Sequence, residues 1–182
     1  TATTEDGMVL HGNEFIYNKE LNILKVLGDV KIKDEKNKYT ITSHQVEYLK
    51  NKEEIYGEGD VIAASGSGIL ITGDKFKYNK KLNILEVFGN VEIKDKKKKY
   101  DISSQYIKYL KDNEEIYSEG KTILKINSEY IFESEDISLF RNQMLLSSNK
   151  SSELNDLKSK SLYNFDNFIY HLENKILKAV NV

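Results

Sequence analysis

Hydrophobic and polar residues alternate along most of this 182-residue chain. Alternation with a period of two is typical of β-strands that bury one face, whereas helical periodicity fits these segments poorly. Around Gly28 the residues between the apolar positions are mostly charged, and a second segment around Gly89 repeats the pattern. The apolar positions are Leu24, Val26, Val30 and Ile32 in the first segment, and Leu85, Val87, Val91 and Ile93 in the second. Both segments are therefore predicted to be half-buried strands.

The strand pattern belongs to an internal repeat. Residues 12–59 align with residues 73–120 at a constant offset of 61, and about 29 of the 48 aligned positions are identical. Each copy divides again, because four tyrosines spaced by 31, 30 and 31 residues are each followed eleven positions later by glycine. Two decayed copies follow, so we expect a single domain over residues 1–182 with about six half-repeats of about 30 residues. The tyrosines are Tyr17, Tyr48, Tyr78 and Tyr109, and the glycines are Gly28, Gly59, Gly89 and Gly120.

A glycine in the middle of a strand weakens the strand. Where one occurs, it usually allows a bulge, a sharp bend or the close approach of another backbone. One glycine per half-repeat would bend every strand at the same level of the stack. The bent strands would then fold over on an apolar seam. We therefore predict an all-β, repeat-built fold of short antiparallel strands stacked along one axis, either a solenoid-like sandwich or a β-jelly roll, with little or no helix.

The apolar residues of the seam are the candidate functional residues. One interpretation is a dry core, which is what such stripes usually form. The other is a groove between splayed sheets that accepts apolar chains. The candidate groove residues are Phe15, Leu24, Val26, Val30, Ile32, Ile55, Phe76, Leu85, Val87, Val91, Ile93 and Ile116.

Composition and motifs argue against several other functions. A net charge of −2 does not suit a general nucleic-acid binder, and the lack of cysteine excludes disulfides and thiolate metal sites. The three histidines stand where other copies of the repeat carry different polar residues, and no nucleophile motif or phosphate-binding loop is found. We predict no enzyme, no metal and no cofactor. The run Lys96 to Lys99 is interpreted as a solvated hairpin tip, and the alternative is an anion-binding or enzymatic domain that uses these lysines.

Residues 71–93, ITGDKFKYNKKLNILEVFGNVEI, resemble the OstA-type repeat of lipopolysaccharide transport proteins. The resemblance is carried by Phe76 and Tyr78 before a polar turn and by the step Gly89, Asn90 and Val91 after it. It covers practically the whole chain. Within this superfamily, residues 130–182 are most similar to the periplasmic N-terminal domain of LptD, and the free periplasmic bridge protein LptA is the alternative. Because the last half-repeat stops within a strand, we expect a C-terminal outer-membrane β-barrel to follow.

The resemblance implies a folded jelly roll whose hydrophobic interior shelters the acyl chains of lipid A and passes them to the outer membrane. The implied partners are lipopolysaccharide, a neighbouring Lpt bridge protein that pairs edge to edge, and the LptD barrel if it shares the chain, with no nucleic acid. The implied location is the periplasm of a Gram-negative bacterium, in association with the outer membrane. We expect the strand near residues 8–17 to be the receiving edge. The rival from a different class is a structural β-solenoid with a closed core and no ligand.

Overall fold

The fold is described from a computed structural model that covers residues 1–5 and 7–181. It confirms the all-β prediction, with eighteen strands and only antiparallel pairings among the described residues. A three-residue 3₁₀ turn, Lys50–Lys52, is the one helical segment in this part of the chain, where no helix is long and apolar enough to cross a membrane. The strands are β1 Ala2–Thr3, β2 Val9–His11, β3 Glu14–Asn18, β4 Ile23–Asp34, β5 Tyr39–Leu49, β6 Glu54–Ser65, β7 Ile69–Asn79, β8 Ile84–Asp95, β9 Tyr100–Leu110, β10 Glu115–Glu119, β11 Thr122–Ile126, β12 Tyr130–Ser134, β13 Ser138–Phe140, β14 Leu145–Ser148, β15 Ser152–Asp156, β16 Ser161–Phe165, β17 Asn167–His171 and β18 Ile176–Val180.

Three of the repeated glycines form bulges, as the sequence predicts. In β4 the pairing register shifts between Leu27 and Val30, and Gly28 and Asp29 both have positive φ, at 75° and 47°. Glycine tolerates this region because it has no Cβ, and aspartate enters it more readily than most residues. β6 and β8 shift register at their own glycines in the same way. The strands therefore bend without ending, so β4 to β9 reach 11 or 12 residues and are longer than the short strands expected.

The bends divide the sheet into two facing layers. The first layer holds β3, one half of each long strand, β10, β13, β14, β17 and β18, and the second holds β1, β2, the other halves, β11, β12, β15 and β16. The halves in the first layer are residues 23–27, 45–49, 54–58, 75–79, 84–88 and 106–110, and those in the second are residues 30–34, 39–43, 61–65, 69–73, 91–95 and 100–104.

The fourth repeated glycine breaks the strand. Gly120 has φ of 76° and lies between β10 and β11, which pair with the two halves of β9. Beyond this point each layer is built from separate strands of three to five residues. The half-repeats that have decayed in sequence are thus those in which the long bent strand is lost.

The hydrophobic core lies between the layers. Phe132 of the second layer stacks on Phe168 of the first, with ring centroids 5.0 Å apart, and Tyr39 meets Tyr78 at 5.1 Å. Such close aromatic pairs show that the layers are in direct contact at both levels of the stack.

The stack ends in edge strands. In the described part of the chain, β3 and β18 of the first layer each pair with one strand, and so do β1 and β16 of the second. Large apolar side chains are half exposed on these edges, including Ile16 at 48%, Leu162 at 56% and Val180 at 50%. Both ends of the stack therefore present backbone and apolar surface that a further strand could cover.

Candidate functional site

All twelve candidate groove residues lie on the inner faces of the two layers or pack against the core. Ten of them are at most 2% exposed, and the other two, Phe15 and Leu24, are partly buried. The structure thus brings the predicted set together along one interior. Whether this interior takes up a ligand stays a prediction.

The residues that alternate with the candidate groove residues along the strands face outward. Lys25 is exposed and forms an ion pair with Glu47 at 3.1 Å on the outer surface. Glu86, the repeat counterpart of Lys25, accepts a hydrogen bond from the hydroxyl of Tyr106 at 2.7 Å. Because Lys25 adjoins Leu24 in the chain, the two residues sample opposite faces of a single strand.

The interior opens at the end of the stack that begins with β3. A cavity of about 680 Å³ lies there between the layers, within the range of about 300–1,000 Å³ for ligand pockets. Its walls come from β1 and β2 on one side and from β3, β4 and β5 on the other. Its lining combines apolar and polar residues. The apolar ones are Ala2, Leu10, Tyr17, Leu24 and Tyr48, and the polar ones are Thr3, Thr4, Glu5, Asn22, Lys50, Asn51 and Glu53.

Along the flank opposite the bends, the hairpin turns of the two layers face each other, and we call this flank the mouth. Polar contacts join the layers across it. The hydroxyl of Tyr78 in the first layer donates to Asp34 in the second at 2.9 Å, and the Lys111 ammonium donates to the backbone carbonyl of Asn37. At the far end Lys175 pairs with Glu129 at 2.6 Å. The mouth is therefore closed by side chains rather than by backbone pairing.

Arg141, the only arginine of the chain, makes the most extensive of these contacts. Its side chain is 2% exposed and forms ion pairs with Asp95 of the second layer, at 2.6 Å, and with Glu114 of the first. Its Nε donates to the Tyr100 hydroxyl at 2.8 Å. Burial opposes the charge on Asp95, but hydrogen bonds from Arg141 and from the backbone N–H of Lys98 hold the pKa of this carboxyl below its usual value.

This cluster was not predicted from the sequence, although the repeat contains a signal for it. Arg141 stands 61 residues after Lys80, and Asp95 stands 61 residues after Asp34, so the pair Asp95 and Arg141 follows the pair Asp34 and Lys80 at the offset of the large repeat. The signal was not decisive because the partners lie 46 residues apart in the chain and on different layers.

A second concave surface lies on the outer face of the first layer and has a volume of about 440 Å³. Its apolar contacts come from Leu27, Tyr56 and Phe88, above the backbone at Gly57. Val46 and Phe76, whose side chains belong to the core, also line this surface beside Gly57, which has no side chain of its own. Phe76, one of the twelve candidate residues, therefore borders both this surface and the interior.

Side chains that could bind a metal ion do not form a cluster in the described part of the chain, and the lysine run lies in a hairpin turn. Among the residues that the structure describes, no three His, Asp or Glu side chains are close enough together to hold a metal ion. The run Lys96 to Lys99 forms the turn between β8 and β9, as the sequence predicts. Two of its backbone N–H groups, those of Lys97 and Lys98, donate to Asp95.

The chain resembles known proteins in its fold and not in its sequence. No family model and no curated protein sequence matches this chain. Among solved structures, the fold is similar to the crystal structure of LptH from Pseudomonas aeruginosa, which is described as the LptA homologous periplasmic component of the conserved lipopolysaccharide transport device. The TM-score is 0.51, with 15% sequence identity over 81% of this chain and 85% of that chain. At this identity the likeness shows a shared fold.

Proposed function

We propose that this chain is an LptA-type component of lipopolysaccharide transport in the periplasm, which holds acyl chains between its two layers. The observation that carries the proposal is the continuous apolar interior that opens into a cavity at one end of the stack. Exposing an acyl chain of about twelve methylenes to water costs on the order of 10 kcal/mol, at about 0.8 kcal/mol each. An apolar interior removes this cost.

The repeat supports movement of a chain along the interior. Val26 and Val87 occupy the same position in the two large repeats, as do Ile55 and Ile116. Similar side chains at successive levels offer similar affinities for an acyl chain, so no single level binds the chain much more tightly than the next. Net direction then has to be supplied by another component of the transport system.

The stack edges suit assembly with a neighbouring transport protein. β3, which includes the later part of the expected receiving segment, is an edge strand with half-exposed Ile16 and Tyr17. Addition of a strand there would satisfy its free backbone groups. The finer assignment, to an LptD N-terminal domain joined to an outer-membrane barrel, remains a prediction that the coding sequence downstream of residue 182 would test.

The close packing of ten of the twelve stripe residues favours a second candidate, a structural β-solenoid without a ligand. In that case the side chains only contact one another. The two candidates differ in whether a lipid can reach the interior at all.

Photocrosslinking separates them. A photoreactive residue is placed at Leu24, which is partly buried beside the open end, and in a matched variant at Lys25, the exposed residue next to it. After incubation with lipopolysaccharide, the transport proposal expects a crosslinked adduct from position 24 and none from position 25. Equal yields from both positions, or no adduct from position 24, would favour the structural solenoid.

A further inference from the structure

In five of the six half-repeats a basic residue stands two positions after the repeated tyrosine or its equivalent, and the sixth carries Leu172 there. Each lies where a first-layer strand ends at the mouth. Because a half-repeat adds two strands to the layer, neighbouring members are about 10 Å apart along the stack. We call this set the basic row, and its members are Lys19, Lys50, Lys80, Lys111 and Arg141.

Two members of the row, Lys111 and Arg141, reach across to the second layer. Lys111 lies 4.9 Å above the ring of Tyr39 and donates to the Asn37 carbonyl, and both of these residues belong to the opposite side of the mouth. Arg141 crosses the mouth to Asp95 and Tyr100. Lys50 and Lys80, in contrast, lie over the rings of Tyr17 and Tyr48, which belong to their own layer.

The carboxylates in these contacts depend less on a closed mouth than the cations do, because they have further hydrogen-bond donors within their own turns. Asp95 also accepts hydrogen bonds from the backbone N–H groups of Lys97 and Lys98, each at 2.9 Å, within its own turn. Asp34 likewise accepts from the backbone N–H of Asn37 at 2.9 Å. If the layers separate, these carboxylates keep donors.

Separation of the layers leaves Arg141 and Lys111 with fewer partners. Arg141 would lose Asp95 and Tyr100 and would retain Glu114, which belongs to its own layer. Lys111 would lose both its ring contact and its carbonyl acceptor. Removing one partner of a buried charge is costly unless a new partner takes its place.

We propose that the basic row binds the anionic group of an amphiphile, a phosphate or carboxylate, while the apolar chains of the same molecule lie between the layers. This inference rests on the proposed function and adds a selectivity to it. When the mouth opens, the anionic group takes the place of Asp95 on Arg141, whose planar fork suits bidentate contact with oxyanions. A neutral amphiphile with the same chain provides no such partner for Arg141 and Lys111.

The test compares two ligands with the same chain and different head groups. Dodecyl phosphate and dodecyl maltoside, each below its critical micelle concentration, displace a fluorescent apolar probe from the whole chain. We expect dodecyl phosphate to bind about tenfold more tightly than dodecyl maltoside, since hydrogen bonds to charged groups are among the stronger ones. Inorganic phosphate alone is expected to displace neither the probe nor dodecyl phosphate.

Variants assign the preference to the row. Lys111→Gln and Arg141→Lys are expected to reduce the preference for the phosphate, while the affinity for the maltoside stays within about twofold of wild type. The matched control is Lys108→Gln, because Lys108 lies between buried Ile107 and Tyr109 on β9 and faces outward. This control keeps the full preference. Urea midpoints of all variants show that the fold is retained, and Lys111→Gln carries the test if Arg141→Lys unfolds.

The outcomes are distinct. Equal binding of both amphiphiles by the wild type, or an unchanged preference in Lys111→Gln, overturns the role of the row and leaves the proposed function standing. Displacement by inorganic phosphate alone assigns the site to free phosphate and also overturns the inference. Failure of both amphiphiles to bind overturns the proposed function together with the inference.

Discussion

The bends at the repeated glycines provide a sharp test of the fold, because two of these glycines share a backbone conformation but differ in their surroundings. Gly59 has φ of 87° and Gly120 has φ of 76°. A Cβ added at Gly59 would lie 2.8 Å from the Cβ of His44, whereas one added at Gly120 meets nothing within 4 Å. Alanine at position 120 therefore measures the conformational cost alone, and alanine at position 59 adds the clash.

The magnitudes follow from these distances. A left-handed conformation costs alanine about 1–2 kcal/mol in the folded state. Alanine also lowers the conformational entropy of the unfolded chain, which offsets about 0.4–1 kcal/mol of this cost. Gly120→Ala should thus destabilise the protein by about 1 kcal/mol. The His44 Cβ is fixed to its backbone, so Gly59→Ala also has to move the neighbouring strand, for about 1–3 kcal/mol more.

Urea denaturation followed by circular dichroism measures both costs. We expect Gly59→Ala to lose about 2–4 kcal/mol of unfolding free energy, and Gly120→Ala to lose clearly less. Equal losses in the two variants would refute the reasoning, because the clash with His44 would then contribute nothing. A stabilising effect of Gly120→Ala would show that the positive φ at this position is not required.

Four further substitutions test the core and the mouth. Burial alone would raise the pKa of Asp95, but its hydrogen bond from Arg141 keeps that pKa below the usual value. The ionised carboxylate therefore contributes to the free energy of unfolding above about pH 3.9, the pKa of an aspartate in the unfolded chain. This contribution is lost as the pH falls through the lower pKa of the folded state. Urea midpoints should therefore fall less steeply on acidification in Asp95→Asn than in wild type, and parallel curves would contradict this. Phe132→Ala should cost about 3–5 kcal/mol in the same assay, whereas a loss below about 1 kcal/mol would indicate an interior that is not closely packed. The buried hydroxyl of Tyr39 has no hydrogen-bond partner among the described residues, so Tyr39→Phe should leave the thermal midpoint unchanged or raise it. Tyr78→Phe removes a buried hydrogen bond of 2.9 Å and should lower that midpoint, and the reverse order of the two variants would refute the assignment.

The strand pattern and the bends could be predicted because both are local properties of the chain. Val26 and Val87 alternate with charged neighbours, and alternation alone assigns the buried face of a strand. Gly28, Gly59 and Gly89 mark the bulges, because few other residues accept a positive φ there without cost. The repeat then extends each local inference along the chain, so the two-layer fold follows from a single half-repeat.

The mouth could not be predicted in the same way. Arg141 and Asp95 are 46 residues apart, and each looks like an ordinary surface charge in its own turn. Their contact depends on how far one layer is displaced along the stack relative to the other, which alternation does not specify. Whether the seam lies open or packed depends on that same relative placement.

The amino-acid sequence by itself thus determined the strands, their inward faces, the bends and the stacking of half-repeats. Only the tertiary structure decided that the interior is packed along its length, that it opens beside β3, and that the basic side chains meet acids and rings across the mouth. The physical reason is that strand patterning acts between neighbours in the chain or in the sheet. The separation and register of two facing layers, in contrast, result from packing side chains that are distant in sequence.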